Sequence, residues 1–195
     1  MSEPHLQFQP ATADRWEDLV DLFGPERGAC GGCWCMWPFL RAKDWKAMAR
    51  EERRDALKSK VDAGEEPGLL AYREGIAVGW VACGPRERYV RFQLSKTTKP
   101  LDEDPEDLIR ATHAVTCFYV RSGHRKAGLM DRLLDAAIDR SRQNGAKWLD
   151  ACPIESDKPL LWSEGFVGFT PVFRRAGFEE IARRSPRRPL MRMSL

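Results

Sequence analysis

The residues Ala114 to Val120 form a nearly unbroken apolar run of strand length, followed by a Gly-containing basic stretch and then a long amphipathic helix. No other part of the chain constrains the fold as strongly. Such a run fits a central strand buried on both faces. The helix, predicted over 129–143, carries Leu129, Met130, Leu133, Leu134, Ala137 and Ile138 on one side and ends at Asn144-Gly145. A further strand is expected from Lys147 to Cys152. Strand, helix, strand in this order implies a right-handed crossover and a parallel pair.

The flanking segments fit around that unit. A short strand at Leu6–Phe8 leads into a helix that Thr12 can cap and that Gly24-Pro25 stops, with Trp16, Leu19, Val20 and Phe23 at helical spacing. A second helix is expected from Asp44 to Ala63. Gly68–Tyr72 and Ile76–Ala82 form a hairpin across Glu74-Gly75. Residues 85–112 read as a long connection with one helical turn, and a short helix should precede Gly177-Phe178 and a final strand or hairpin. At 195 residues this is one domain, 1–195, and a formal net charge of +3 with 43% hydrophobic residues excludes intrinsic disorder. No apolar run is long enough to span a bilayer, and the N-terminus lacks the pattern of a secretory signal. The expectation is a cytoplasmic protein with its six cysteines reduced.

Chemistry concentrates between Val120 and Met130. A buried strand ends there, and Gly128 stands where the next helix begins, so free N–H groups and the positive end of the helix dipole point at the strand terminus. Arg125 and Lys126 add charge, which makes an anion site. Neither a Walker ending nor a G-x-G-x-x-G fingerprint is present.

At this point the sequence resembles the GNAT superfamily of N-acetyltransferases. Its signature, an aliphatic end to the fourth strand followed by Arg/Gln-x-x-Gly-x-Gly/Ala, is matched by Val120 and Arg125-Lys126-Ala127-Gly128-Leu129-Met130, with Lys126 and Met130 as departures. A second signature, an aromatic residue separated by three residues from Gly-Phe, is met by Phe173-Arg174-Arg175-Ala176-Gly177-Phe178. Cys33-Trp34-Cys35-Met36, Gly84-Pro85-Arg86 and Val115-Thr116-Cys117-Phe118 further resemble a bacterial subgroup without assigned acceptors. The resemblance implies an α/β (α+β) fold, with a mixed, mostly antiparallel sheet whose parallel fourth and fifth strands splay around the cofactor, flanked by helices. It implies acetyl-CoA as cofactor, with the pantetheine arm along Phe118 and Val120 and the pyrophosphate on the N–H groups of Arg125, Lys126, Ala127, Gly128, Leu129 and Met130. The position where the family often has an acidic tyrosine is Phe173.

The implied reaction is direct attack of a neutral primary amine on the thioester. Its acceptor is expected to be a small molecule, with a protein lysine or a non-catalytic acyl-CoA sensor as alternatives. Glu155 and His113 are the ionisable groups nearest the expected acyl position and the candidate bases; solvated and structural roles stand beside that reading. Trp34, Trp37, Arg41, Arg86 and Tyr89 are candidate acceptor contacts, the arginines suggesting an acidic group on the substrate. Core packing for the tryptophans and surface ion pairs for the arginines are the alternatives. Cys30, Cys33 and Cys35 could share a metal, but no second Cys or Cys/His pair follows at finger-like spacing, so no metal is assigned. Arg183-Arg184 and Arg187-Arg188 read as a solvated strand end or part of a cofactor-phosphate or dimer surface. No nucleic-acid or membrane partner is expected, and a homodimer stays open.

Overall fold

A computed structural model describes residues 6–158, 160 and 164–195. Seven strands form one sheet: β1 (Leu6–Pro10), β2 (Gly68–Arg73), β3 (Ile76–Pro85), β4 (Thr112–Val120), β5 (Trp148–Ala151), β6 (Glu179–Ala182) and β7 (Leu190–Ser194), in the spatial order β1-β2-β3-β4-β5-β7-β6. Every neighbouring pair is antiparallel except β4 and β5. The β2–β3 hairpin turns on Glu74 and Gly75, whose φ angles of 52° and 78° are the pair of positive values that a two-residue turn matching the strand twist demands.

Helices cover both faces. On one side lie α1 (Trp16–Phe23), α2 (Ala42–Ala47) and α3 (Arg50–Asp62), with Trp16, Leu19, Phe23, Leu57 and Val61 buried against Leu70 and Trp80 of the sheet. The long connection holds two short helices, α4 (Val90–Leu94) and α5 (Glu106–Arg110). On the other side α6 (Leu129–Gln143) and α7 (Thr170–Arg175) bury Leu133, Leu134, Ala137 and Phe173 against Ala71, Val81 and Val115. Burial of this kind contributes roughly 25 cal/mol per Å² of apolar surface, so the two layers supply most of the driving force.

Two elements differ from the sequence expectation: the 85–112 connection holds two short helices rather than one turn, and one long helix is interrupted. The helix predicted from Asp44 to Ala63 is broken at Met48 and Ala49, whose ψ angles of 135° and 166° are extended. The Glu52 carboxylate accepts the Ala49 N–H at 2.6 Å, satisfying one of the orphan donors of α3. The Arg53 guanidinium donates to the carbonyls of Trp45, Met48 and Gly32 at 2.7–3.1 Å, holding the break closed.

Two irregularities in β4 shape everything that follows. Opposite β3, Ala82 faces Cys117 and Cys83 faces Val115, so Thr116 is an extra residue without a partner. This bulge reverses the alternation, placing Val115 and Phe118 on the α6 face and Ala114 and Cys117 on the other. On its other edge β4 pairs with β5 only from Thr112 to Val115. Beyond Ala151 the two strands separate, leaving Thr116–Val120 without a strand neighbour on that edge among the described residues.

Candidate active site

β4 contributes to the walls of two cavities, one on each side of Cys117 along the strand. The larger, about 1,030 Å³, is bounded by Phe118, Tyr119 and Val120, by Arg125 and Gly128, and by Phe166 opposite. Tyr119 stacks on Phe166 with ring planes 2° apart, so residues of the 164–167 turn stand where β5 would otherwise continue. Gly128 has φ +68°, a left-handed conformation that favours glycine, and a Cβ there would meet nothing within 4 Å. It immediately precedes the fifteen-residue α6, whose first-turn N–H groups lack helical acceptors and carry the positive end of the dipole. Arg125 Nε donates to the Val120 carbonyl at 3.1 Å, tying the loop to the end of β4.

The second cavity, about 550 Å³, is lined by Val115 and Thr116 of β4, Trp37, Arg41, Arg91 and Arg188, among others. The Thr116 hydroxyl is buried, beside the Tyr89 phenol. A phosphate-bearing cofactor fits the first cavity, because unpaired strand edge, free amides and open space over Gly128 lie in line. The second cavity begins one strand step further on, where a reacting partner would stand.

The residues expected at the site divide accordingly. Phe118, Val120, Arg125, Lys126, Gly128, Leu129 and Met130 line the larger cavity, whereas the exposed Ala127 does not. Phe173 does not reach it either. It is fully buried, edge-to-face with Phe118 and Phe178 at 6.0 and 5.1 Å, and serves as core. Trp37 and Arg41 line the acceptor-side cavity. Trp34 is buried against Trp16 and Phe23, because Trp34 and Cys35 adopt φ angles of 48° and 53° that turn the chain inward. Tyr89 is buried as well, its phenol pushed well up by desolvation. Arg86 lies beneath the wall, fully buried beside Asp150, with Nη2 on the Thr98 carbonyl at 2.5 Å. Sequence reasoning missed Arg91, Thr116 and Phe166, and it assigned Arg188 to an exterior cluster; none carries a spacing signal.

Neither candidate base stands in the cleft. The Glu155 carboxylate is held by Arg174 at 2.8 Å and Arg183 at 2.6 Å, outside both cavities. His113 lies near the start of β4, its Nδ1 3.3 Å from Ser141 Oγ on α6, in a separate cavity of about 340 Å³ with Arg88 and Arg140. Desolvation, reinforced by the Arg88 charge, pushes this imidazole down to about 4. Its folded value is depressed below the unfolded 6.5, so its contribution is present above pH 6.5 and lost as pH falls toward 4. Between pH 7 and 4 this group accounts for about 3 kcal/mol of lost stability. Urea denaturation at a series of pH values should show that slope in the wild type and a flatter one in His113→Gln; parallel curves would refute it.

The C-terminal arginines all have partners within the chain, though for Arg184 and Arg188 these are backbone carbonyls rather than carboxylates. Cys35 accepts the Trp80 indole N–H at 3.1 Å, and burial pushes the Cys33 thiol up to about 11. Among the described residues no group of three or more His, Cys, Asp or Glu is placed to hold a metal. Arg183 pairs with Glu180 and Glu155, Arg184 donates to the carbonyls of Lys99 and Pro100, Arg187 pairs with Glu164, and Arg188 donates to the Cys152 carbonyl. No helix among the described residues is long and apolar enough to cross a membrane.

A parallel strand pair opened beside a glycine-started helix defines an enzyme frame that accepts a phosphate-bearing acyl carrier. The chain belongs to the Acetyltransferase (GNAT) family, whose profile matches residues 16–159, and it is an acyltransferase by that membership. Solved structures share the fold at low identity. An N-acetyltransferase from Staphylococcus aureus Mu50 superposes with a TM-score of 0.55 at 13% identity, over 97% of this chain and 98% of that one. An N-acetyltransferase from Thermoplasma acidophilum in complex with coenzyme A gives 0.55 at 10%, covering 98% and 99%. The diaminobutyrate acetyltransferase of Paenibacillus lautus, in complex with L-2,4-diaminobutyric acid and coenzyme A, gives 0.52 at 12%, covering 98% and 96%. No curated protein sequence matches the chain.

Proposed function

We propose that this protein is an acetyl-CoA-dependent N-acetyltransferase acting by direct attack on a primary amine of a small molecule. The observation that carries this reading is the separation of β4 from β5 after Val115 and Ala151, in line with Gly128 at the start of α6. The amides of Leu129 and Met130 are suited to hold the pyrophosphate, with the Arg125 and Lys126 charges beside them. The free edge of Phe118–Val120 is suited to hydrogen-bond the pantetheine amides as a strand would. When bound, the cofactor would supply an activated thioester. Two structural relatives bound to coenzyme A support the assignment.

The chain's own residues set the rest of the chemistry. An amine can attack only when neutral, and the guanidinium groups around the acceptor-side cavity favour the neutral form over an ammonium. The buried Thr116 hydroxyl is a candidate donor to charge developing on the carbonyl oxygen. With Phe173 buried in the core, no phenol at that position protonates the leaving thiol. A thiol of pKa near ~8.5 departs as thiolate at neutral pH at a cost of about 1–2 kcal/mol, which slows transfer without blocking it.

Release of free thiol from acetyl-CoA by purified protein, across a panel of amines, tests the assignment. Amine-dependent release supports it. Tight cofactor binding with no release on any amine would favour a non-catalytic sensor, and failure to bind acetyl-CoA would remove both readings.

A further inference from the structure

The acceptor-side cavity is chemically one-sided. Among the described residues its wall carries three arginines, Arg41, Arg91 and Arg188, and no aspartate or glutamate. Ser95, Thr97, Thr98 and Thr116 also line it, the Thr98 hydroxyl donating to the Phe92 carbonyl at 2.7 Å. Several other arginines are neutralised by carboxylates, as Arg121 by Asp21 and Arg192 by Asp104 and Asp150, whereas Arg53 and Arg184 donate to backbone carbonyls.

These three are not neutralised. Arg91 donates Nε to the Trp37 carbonyl at 2.8 Å and lays its guanidinium over the Trp37 ring at 3.5 Å, which fixes its plane, while its buried Nη2 has no partner among the described residues. Arg188 donates Nε and Nη2 to the Cys152 carbonyl at 3.1 and 2.6 Å, leaving its charge uncompensated. The exposed Arg41, at the start of α2, makes no ion pair among the described residues. A fixed, partly desolvated guanidinium without a carboxylate is a built receptor for one, since the planar fork matches a carboxylate with two parallel hydrogen bonds. Trp37, Phe92, Val115 and Val167 make the remaining wall apolar.

We infer that the acceptor is an amine that carries a carboxylate on an apolar body, an amino acid or a close derivative, with the carboxylate held by Arg91 and Arg41 and the amine directed toward Thr116. The inference rests on the acetyltransferase reading for its turnover test but not for its binding test. Cationic acceptors such as polyamines are disfavoured by the same charges, because a second ammonium would sit among three guanidinium groups without a counterion.

Matched pairs isolate the carboxylate. Leucine, phenylalanine, methionine and 6-aminohexanoate are each compared with their carboxamides, and spermidine serves as the cationic control. Binding is read by calorimetry on the CoA-loaded protein and turnover by thiol release. The acid of at least one pair should exceed its amide by about 10- to 100-fold in affinity and in kcat/KM, the range of a charge-assisted hydrogen bond lost. Arg41→Gln should lower that acid-to-amide ratio by about tenfold, whereas a merely misfolded variant lowers both members together. Acids that bind selectively without being acetylated would uphold the carboxylate site but overturn its role in holding an acceptor, together with the acetyltransferase reading. Amides or spermidine matching or exceeding the acids, or no acid binding at millimolar concentration, would overturn the inference itself.

Discussion

Asp150→Asn should cost about 3–5 kcal/mol, the range for leaving buried charge uncompensated, and lower the thermal midpoint by roughly 6–20 °C. Asp150 is fully buried on β5 and accepts from Arg192 at 2.7 and 3.0 Å, with Arg86 Nε 3.6 Å away on its other side. Burial pushes Arg86 down to about 10 despite Asp150, so the guanidinium stays charged and depends on that carboxylate for compensation. Asparagine would leave Arg86 and Arg192 with Asp104, paired to Arg192, as their remaining carboxylate. Arg86→Met should cost much less, because Asp150 keeps Arg192 and an unbranched side chain fills similar space. Equal losses in the two variants, measured by denaturant titration, would refute this account of the network. The residue matters to the site because Asp150 pairs in register with Ala114, one step before β4 and β5 separate. The ion network therefore fastens the closed end of the opening.

Gly128→Glu should weaken acetyl-CoA binding by at least about 100-fold. At an effective dielectric near 20, a carboxylate about 4 Å from a phosphate charge costs about 4 kcal/mol, more than that factor requires. Space is not the obstacle, because a Cβ at Gly128 meets nothing within 4 Å. The positive φ strains any replacement, by about 1–2 kcal/mol of folding stability. Gly128→Gln carries the same strain and nearly the same shape without charge, so it should bind within about tenfold of wild type. Calorimetric titration of both variants decides: a glutamate variant that binds as tightly as the glutamine one would place the pyrophosphate elsewhere.

Elements whose register is local were legible before the structure. The period of α6, the Glu74-Gly75 turn and the apolar run of β4 each carry their own instructions, and all three lie where expected. The break between α2 and α3 was not legible. Met48 and Ala49 have no breaking chemistry of their own, and the interruption is fixed by Glu52 and by Arg53 reaching the carbonyl of Gly32 in another segment. Within the site, the loop before α6 could be read because its residues are contiguous. The acceptor-side cavity could not, because Trp37, Arg91, Thr116 and Arg188 come together only through the sheet. Trp34 and Trp37 show the same limit at short range. Three residues apart in one loop, they end in the core and on the cavity wall because positive φ angles between them turn the chain. His113 and Glu155 were chosen for closeness to β4 and β5 in sequence, but side-chain direction and ion pairing take them away from the opening.

The central claim is that the opened edge of β4 and the start of α6 together hold acetyl-CoA. A density map of the protein with coenzyme A tests it most directly. The account predicts the pyrophosphate at the amides of Leu129 and Met130, the pantetheine arm paired along Phe118–Val120 and the thiol ending beside Thr116. Coenzyme A bound away from β4, or with its thiol pointing away from the cavity that holds Arg41 and Arg91, would contradict it.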